Sequence, residues 1–235
     1  MSKLKDKYTV IALGGSILVP KNIQIGYLKR LRNFILDEIK RGNRFIIVVG
    51  GGATARDYQN AAAEVSDITD EDKDWIGIHS TRLNAHLLRT IFHDHAYPVV
   101  LDNPEKPIEK SDLKKYPLFI ASGWRPGWST DYIAFRLAHR FGASEVVVAT
   151  KIKYIYSKNL DKHEDAKPLK EITWEKYENI LPDKKWQPGM KVPIDPVATK
   201  FAKRNNIGCI LLRGTNISNL KKYTEGKSFD GTVIT

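Results

Sequence analysis

Short apolar runs rich in β-branched residues alternate with long amphipathic stretches along this chain of 235 residues. Such an alternation is typical of a sheet covered by helices. Most of the runs lack polar alternation, as expected for strands buried on both faces of a mostly parallel sheet. The predicted strands are residues 8–13, 45–50, 98–101, 117–121, 145–150, 209–212 and 231–235, and the predicted helices are residues 25–41, 54–65, 75–95, 130–141 and 196–205.

No proline-, glycine- or serine-rich linker divides the chain, so we expect one α/β domain with helices on both faces of its sheet. Lys and Arg (38) outnumber Asp and Glu (27), which gives a formal net charge of +11. Residues 1–56 carry eleven basic and three acidic side chains, whereas the lysines from Lys151 to Lys191 are interleaved with acidic residues, and no continuous basic stripe with aromatic residues is present. The charge therefore favours phosphorylated small molecules as ligands over nucleic acid.

The sequence carries no sign of export or of a membrane. No apolar run approaches the roughly 20 residues that span a bilayer, and the apolar run near the start is too short for a secretory signal. We therefore expect a cytoplasmic protein. Cys209 lies in the run IGCILL and is predicted to be a small buried hydrophobic residue.

Three histidines recur every seven residues on one predicted helix: His79, His86 and His93. Seven residues rise about 10.5 Å along a helix, which is too far for two of these side chains to share one metal ion. We expect no metal site built from protein ligands alone.

Three glycine clusters follow predicted strands directly: Gly14-Gly15, Gly50-Gly51-Gly52, and Gly123 with Gly127. A strand-to-helix turn without side chains lets a phosphate approach backbone N–H groups, where the helix dipole adds positive potential. Because ligands of parallel sheets bind at the carboxyl ends of the strands, the clusters predict one crevice for a polyphosphate or for two phosphates. The motif GxxxxGK(S/T) is absent and GxGxxG does not follow the first strand, which excludes P-loop kinases and disfavours dinucleotide dehydrogenases.

The segments LGGSIL, VVGGGATAR, DWIGIHSTRLNAHLL and GWRPGWSTD together resemble the amino acid kinase superfamily, and their order and spacing are closest to archaeal-type UMP kinases. ATKIKYIYSKNLDKHEDAKPLKEITW is similar to that family's ATP-binding strand and loop, while PGMKVPIDPVATKFA and GTVIT resemble its later helix start and closing strand. The resemblance covers nearly the whole chain. It implies a three-layer amino acid kinase-like fold, with a UMP-binding lobe at about residues 1–140 and an ATP-binding lobe at residues 141–235.

The resemblance also implies an activity in pyrimidine nucleotide biosynthesis, the transfer of the γ-phosphoryl group of ATP, with Mg²⁺, to UMP. It implies a homo-oligomer, as a hexamer, and an apolar surface on the 75–95 helix would suit a subunit contact. That surface is formed by Trp75, Leu83, Leu87, Leu88, Ile91 and Phe92.

Site residues follow from the resemblance position by position. The implied ATP-binding residues are Gly15, Ser16, Gly52, Arg56, Thr150, Lys151, Tyr156 and Asn159. The implied UMP-binding residues are Gly51, Asp74, Trp124, Arg125, Pro126, Gly127, Trp128, Ser129 and Thr130. The implied catalytic residues are Arg56, whose forked guanidinium suits phosphate oxygens, and Asp131 and Asp195, which would organise Mg²⁺ or a basic residue.

Plainer interpretations remain open for the charged residues of this set. Arg56 is also compatible with an exposed surface position, and Asp74, Asp131 and Asp195 are also compatible with helix capping. Trp124 and Trp128 suit either a ligand loop or a subunit contact.

Two departures from the family pattern keep other functions open. Ala12 stands where many family members carry a lysine that neutralises the transferred phosphoryl group. Lys151-Ile152-Lys153-Tyr154 replaces the usual Asn-Val-Asp-Gly, and Asn159-Leu160 replaces Asp-Pro. One alternative is therefore a kinase of the same fold that acts on an amino acid, a carbamate or isopentenyl phosphate. The other is a non-catalytic nucleotide-binding or assembly protein.

Overall fold

A seven-stranded sheet forms the centre of the computed structural model, which describes residues 8–158, 163–185, 190 and 192–235. The strands of the described residues are β1 (Tyr8–Leu13), β2 (Arg44–Val49), β3 (Leu118–Ala121), β4 (Glu145–Thr150), β5 (Ile155–Tyr156), β6 (Pro168–Leu169), β7 (Glu171–Ile172), β8 (Gly208–Arg213) and β9 (Thr232–Ile234). The sheet order is β3-β2-β1-β4-β8-β9-β7, and β5 and β6 form a separate antiparallel pair.

All neighbours in the large sheet pair in parallel except β8 and β9, which are antiparallel. The register sets Ile11 of β1 beside Ile47 of β2 on one side and beside Val147 of β4 on the other. The predicted α/β fold with a mostly parallel sheet is confirmed.

Helices cover the sheet on both faces. The helices of the described residues are α1 (Gly15–Leu18), α2 (Ile25–Lys40), α3 (Gly52–Val65), α4 (Asp70–Ile91), α5 (Lys110–Lys115), α6 (Thr130–Arg140), α7 (Trp174–Ile180), α8 (Pro196–Arg204) and α9 (Ile217–Thr224). None of the helices in the described ranges is long and apolar enough to cross a lipid bilayer.

Alternate side chains of each central strand enter two separate apolar cores. In β1, Val10 and Ala12 pack into the core under α6, α7 and α8, whereas Ile11 and Leu13 pack into the core under α1, α2, α4 and α9. Cys209 of β8 is fully buried in the first core, as predicted. Burial of each strand on both faces explains the unbroken apolar runs in the sequence.

Helix α4 begins five residues earlier than the predicted 75–95 helix and ends at Ile91. Thr69 caps it by accepting a hydrogen bond from the N–H of Asp72, whose carboxylate accepts one from the N–H of Thr69 in return. The acidic side chains of the first turn also suit the positive end of the helix dipole. Asp74 therefore lies in the second turn of α4, and the prediction that it starts the helix was wrong.

The predicted strand at residues 98–101 does not form. Only two single bridges, Ala96 with Leu118 and Leu101 with Ala121, connect this segment to β3. Pro98 has no N–H to donate, and Val99 remains 49% exposed, so the segment runs along the sheet edge without completing a ladder.

Candidate active site

The strands β1, β2, β3 and β4 run in parallel, so their carboxyl ends meet at one edge of the sheet. A cleft of about 640 Å³ opens at this edge. All three glycine clusters of the sequence follow these strands, at the ends of β1, β2 and β3. The topology thus gathers turns that are far apart in the chain around one cavity.

The first two glycine turns touch backbone to backbone. A Cβ atom placed on Gly15 would lie 2.2 Å from the backbone N of Gly52 and 2.5 Å from the carbonyl oxygen of Gly50. Gly52 also has a φ of +69°, in the left-handed region that favours glycine. No other residue fits at Gly15, because its neighbour there is backbone and not a flexible side chain.

A buried asparagine holds the second turn from the side. The Nδ2 atom of Asn84, on α4, donates to the carbonyl oxygens of Gly50 at 2.9 Å and Gly51 at 3.0 Å. These bonds satisfy two carbonyls at the turn that leads into α3, and Gly51 and Gly52 at the start of that helix line the cleft.

The third turn, between β3 and α6, is held by side chains of α4. The hydroxyl of Thr81 accepts a hydrogen bond from the N–H of Gly123 at 2.8 Å. Asp74 accepts one from the N–H of Gly127 at 2.6 Å. Arg82 donates to the carbonyl oxygen of Trp124. The inner face of α4 therefore fixes both the second and the third turn.

Two helix N-termini meet at the cleft through a serine and an aspartate. Ser129 caps α6, and its hydroxyl donates a short hydrogen bond to Asp195. The other carboxylate oxygen of Asp195 caps α8 by accepting from the first N–H groups of that helix. The predicted start of a helix at Asp195 is confirmed.

Asp131, in the first turn of α6, lies in the cleft beside this pair. Burial raises the pKa of Asp131 to about 8, and the neighbouring charge of Asp195 adds to the shift. Burial also raises the pKa of Asp195, against the lowering effect of the hydrogen bonds from Ser129 and from α8. Two carboxyl groups this close favour a state in which one of them holds a proton.

Two cations line the cleft without a partner. Arg56 of α3 and Lys151, directly after β4, both reach the cavity, and neither makes an ion pair or side-chain hydrogen bond within the described part of the chain. Lys153, two residues on, instead pairs with Asp230 at 3.2 Å. The cleft thus presents two free positive charges beside several helix N-termini, an arrangement suited to phosphate groups.

The family model described as the amino acid kinase family matches residues 7–213 of this chain. The chain belongs to the amino acid kinase family. It is 35% identical over 225 residues to a uridylate kinase of Thermococcus kodakarensis, which covers 96% of this chain and 98% of that protein. It is 33% identical over 226 residues to a uridylate kinase of Methanococcus aeolicus, with 96% and 98% covered.

Solved structures of similar proteins have the same fold as this chain. The crystal structure of uridylate kinase from Archaeoglobus fulgidus matches with a TM-score of 0.81 at 28% identity, covering 97% of this chain and 100% of that one. The UMP kinase from Bacillus anthracis matches with a TM-score of 0.79 over 97% and 96% of the two chains, and at 20% identity it supports the fold alone. The predicted membership of the family is confirmed.

The structure brings most of the residues implied by the family pattern to the cleft. The walls include Ser16, Gly51, Gly52, Arg56, Asp74, Trp128, Ser129, Thr130, Asp131, Lys151 and Asp195. The implied residues that lie outside these walls are Gly15, Trp124, Arg125, Pro126, Gly127, Thr150 and Tyr156. Asn159 lies outside the described residues. The binding roles of the whole set remain predictions.

Arg125 is engaged elsewhere than at the cleft. Its guanidinium lies 4.5 Å from the ring centroid of Trp124 and 4.0 Å from that of Trp128, so it contacts both indoles, which meet edge to face, on the exposed side of the third turn. This cation stiffens the loop, while Trp128 is the indole that reaches the cleft wall.

Several cleft residues were missed from the sequence, namely Gln59, Ile78, Thr81, Met190 and Val192. Helical spacing could have found three of them. Gln59 follows Arg56 by three residues, and Ile78 and Thr81 follow Asp74 by four and seven, which places each on the same helix face as a predicted site residue. Met190 and Val192 lie in an irregular connection that carries no such signal.

Ala12, at the family's lysine position, is 3% exposed and packs into the core between its neighbours in β2 and β4. No positive charge reaches the cleft from β1. Among the described residues, no three His, Cys, Asp or Glu side chains are grouped closely enough to hold a metal ion.

Proposed function

We propose that this chain is an ATP-dependent UMP kinase, which transfers the γ-phosphoryl group of ATP to UMP and yields UDP and ADP. The observation that carries the proposal is the contact of the first two glycine turns, which sets the start of α3 and the first turn at one cleft with two unpaired cations. The similarity to archaeal uridylate kinases, at 35% identity over 96% of the chain, supports UMP as the acceptor.

The geometry suggests a division of the cleft between the two substrates. The phosphate of UMP would lie beside Gly51 at the N-terminus of α3 and would face Ser129 and Thr130 at the start of α6, while Arg56 would donate to the phosphates of ATP. The phosphates of ATP would lie along Ser16 and Gly52, opposite Lys151. An oxygen of the UMP phosphate is already an anionic nucleophile, so alignment and charge neutralisation supply the catalysis and no general base is needed.

Arg56 and Lys151 would together supply the positive charge that the family lysine provides from the position of Ala12. Both reach the cleft and both are unpaired in the described residues. We expect the transition state to depend on these two side chains more than it would in a relative that carries the lysine.

The donor set of the cleft fits Mg²⁺ that arrives with ATP. Magnesium in kinases is commonly held by one or two carboxylates together with the phosphates of the nucleotide. Asp131 lines the cleft and would supply the carboxylate, whereas both oxygens of Asp195 are engaged with Ser129 and α8. When bound, the ion neutralises charge on the transferred group and stabilises the ionised form of Asp131.

A coupled assay of ADP release tests the proposal. UMP, CMP, dTMP, glutamate, aspartate, carbamate and isopentenyl phosphate are compared as acceptors with ATP and Mg²⁺, and UMP is expected to give the highest kcat/KM. Arg56→Ala serves as the control that the ADP comes from this cleft. Turnover of another acceptor without UMP would identify a different kinase of the fold, and nucleotide binding without any turnover would identify a non-catalytic protein.

We also propose a cytoplasmic homo-oligomer, as a hexamer, in which the outer face of α3 and α4 contacts a second copy. The sequence prediction named six apolar residues of the 75–95 helix, but the structure buries Leu88 of α4 and Phe92, which follows it, in the core. Leu83 is 64% exposed and Trp75 is 39% exposed, and Tyr58 and Val65 extend the exposed apolar surface onto α3.

The charges of α4 support a self-complementary contact. Its first turn is acidic, whereas Arg89 lies in its last turn, so two antiparallel copies would pair opposite charges. Light scattering at micromolar concentration is expected to give a multiple of the chain mass, and Leu83→Asp is expected to lower it. Ser218→Asp, at an exposed position of α9, is the matched control, and a monomeric wild-type protein would refute the contact.

A further inference from the structure

Gln59 lines the cleft, yet none of the phosphate-binding features explains it. It lies on α3 seven residues after Gly52, which is about 10.5 Å further along the helix axis. That separation suits the span of a nucleoside monophosphate from its phosphate to the far edge of its base. Arg56 precedes Gln59 by three residues, so both side chains lie on one face of the helix.

The amide of Gln59 has a fixed orientation. Its Nε2 atom donates to the backbone carbonyl of Lys73 at 2.7 Å. Because a carbonyl oxygen only accepts, the NH₂ group and not the Oε1 atom must face Lys73. Gly77 makes room for this bond, since a Cβ atom there would lie 3.3 Å from Nε2.

The remaining hydrogen-bonding capacity of the amide is unused. Within the part of the chain that the structure describes, Oε1 of Gln59 and the second N–H of Nε2 have no protein partner. One acceptor and one adjacent donor in a fixed order can therefore form two parallel hydrogen bonds with a ligand in the cleft.

This acceptor–donor pair matches the hydrogen-bonding edge of uracil and not that of cytosine. Uracil presents an N3–H donor beside a carbonyl acceptor, whereas cytosine presents an N3 acceptor beside an amino donor. Pairing with cytosine in the same pose would require the amide to turn over, and Oε1 would then face the carbonyl oxygen of Lys73. We propose that Gln59 contacts the base of the acceptor nucleotide and selects uracil over cytosine, an inference that rests on the proposed UMP kinase function.

The surroundings of Gln59 suit a flat base. Ile78 and Trp128 line the same cleft and offer apolar surface to the faces of a ring. Asp74, the residue implied for the nucleoside part of UMP, directly follows Lys73, the residue that anchors the amide. Thymine carries the same hydrogen-bonding edge as uracil, so Gln59 does not separate UMP from dTMP.

The test compares Gln59→Met with Asn60→Met. Both replace an amide of α3 by an apolar side chain, and Asn60 is exposed outside the cleft. Affinities for UMP and CMP are measured by titration calorimetry, and kcat/KM is measured with ATP for each acceptor. Gln59→Met is expected to weaken UMP binding by roughly 10- to 100-fold and to change CMP binding by less than about threefold, because only uracil loses both bonds. Asn60→Met is expected to leave both values unchanged.

Gly77→Ala gives a second, independent variant. Its methyl group would lie 3.3 Å from Nε2 and push the amide a few tenths of an ångström out of line with Lys73 while the residue stays glutamine, so the ratio of UMP to CMP affinity is again expected to fall, by less than in Gln59→Met. Equal losses for both nucleotides in Gln59→Met would indicate a packing role and overturn the inference, as would an unchanged ratio. Wild-type protein that binds UMP but transfers no phosphoryl group would refute the proposed function, while the affinity ratio would still decide the role of Gln59.

Discussion

The first two glycine turns and the third turn reach the same cleft but are built on different principles. Gly15 and Gly52 meet through backbone atoms alone, and the space between them admits no side chain. The third turn is instead suspended from α4 by hydrogen bonds to Thr81 and Asp74, and it is stiffened by the contact of Arg125 with two indoles. The first arrangement is intolerant of substitution, whereas the second can change one side chain at a time.

From this difference we infer that the first two glycine turns serve phosphoryl transfer and that the third turn and α4 serve binding of the acceptor. Backbone contact fixes the phosphate-binding turns independently of side-chain identity. The third turn and the adjacent face of α4 contribute side chains of different shape and polarity to the cleft, such as Trp128 and Asp74. We expect substitutions in the first region to abolish turnover and those in the second to shift KM and stability by graded amounts.

Gly15→Ala is expected to have the largest effect. Its methyl carbon would lie 2.2 Å from the N of Gly52, so the two turns must separate. We expect no measurable turnover and a Tm lower by about 10 °C, since overpacking against rigid backbone costs several kcal/mol. Gly26→Ala, on α2 with no atom within 3.4 Å of the new methyl, is the control and should be neutral or stabilising. An active Gly15→Ala enzyme would show that the turns yield more readily than their contact implies.

Arg56→Ala tests how much the charge beside the first two glycine turns contributes to activity, apart from the contact between their backbones. The guanidinium is exposed and unpaired among the described residues, so its removal should leave Tm unchanged. We expect kcat to fall by roughly 10- to 100-fold, since about 1.4 kcal/mol corresponds to a factor of ten. Arg56→Lys should not restore it, because an ammonium group cannot reproduce the forked geometry. Unchanged kcat and KM for both nucleotides would exclude Arg56 from the site.

Asp131→Asn is expected to abolish most activity and yet to stabilise the metal-free protein. The folded pKa of Asp131 is about 8, above the value of 3.8 for an exposed aspartate. Between these values the folded chain holds a proton that the unfolded chain has released, so the free energy of unfolding falls as pH rises from about 4 to 8. Asparagine removes this dependence.

Thermal unfolding in a chelator measures the effect. The Tm of Asp131→Asn should exceed that of the wild type by several degrees at pH 8, and the difference should shrink towards pH 5. Asp102→Asn, at an exposed position, provides the control. Parallel pH profiles for Asp131→Asn and the wild type would contradict a raised pKa at this carboxyl.

Thr81→Val tests the third turn and is expected to have the smallest effect. Valine keeps the shape but cannot accept from the N–H of Gly123, which is buried. Leaving that group unpaired costs about 1–3 kcal/mol and should lower Tm by roughly 2–10 °C. We expect the KM for the acceptor to rise by a few fold and kcat to change less. A change in kcat alone would mean that the third turn acts on the chemical step and not on binding.

Much of the fold and the phosphate-binding part of the site could be predicted from the sequence. The unbroken apolar runs gave β1, β2, β4 and β8, and glycines after strands pointed to the cleft because the carboxyl ends of parallel strands meet. The Asp195-Pro196 pair marked the start of α8. These signals lie in neighbouring residues, and the structure forms the elements that they predict.

The parts that sequence reasoning missed depend on contacts between distant residues. Nothing near Asn84 in the sequence shows that its amide meets the carbonyl of Gly50, and nothing near Gln59 shows that it meets Lys73. The signal for the start of α4 is local, since Thr69 followed three residues later by Asp72 forms a capping box, but the predicted helix at residues 75–95 did not include it. The segment at residues 98–101 has the composition of a strand, but a proline at the edge of a short β3 prevents the ladder.

The contact between Gly15 and Gly52 also restricts how this protein can diverge. A side chain at either position requires the other turn to withdraw, since a Cβ atom on Gly15 would lie 2.2 Å from the N of Gly52 and one on Gly52 would lie 2.5 Å from the carbonyl oxygen of Gly15. Substitution of Gly15 or of Gly52 alone is therefore expected to give an inactive protein. Divergence to a new acceptor has an open route through the side chains of the third turn, of α4 and of Gln59 on α3, so descendants of this chain should exchange substrates while the first two glycine turns stay the same.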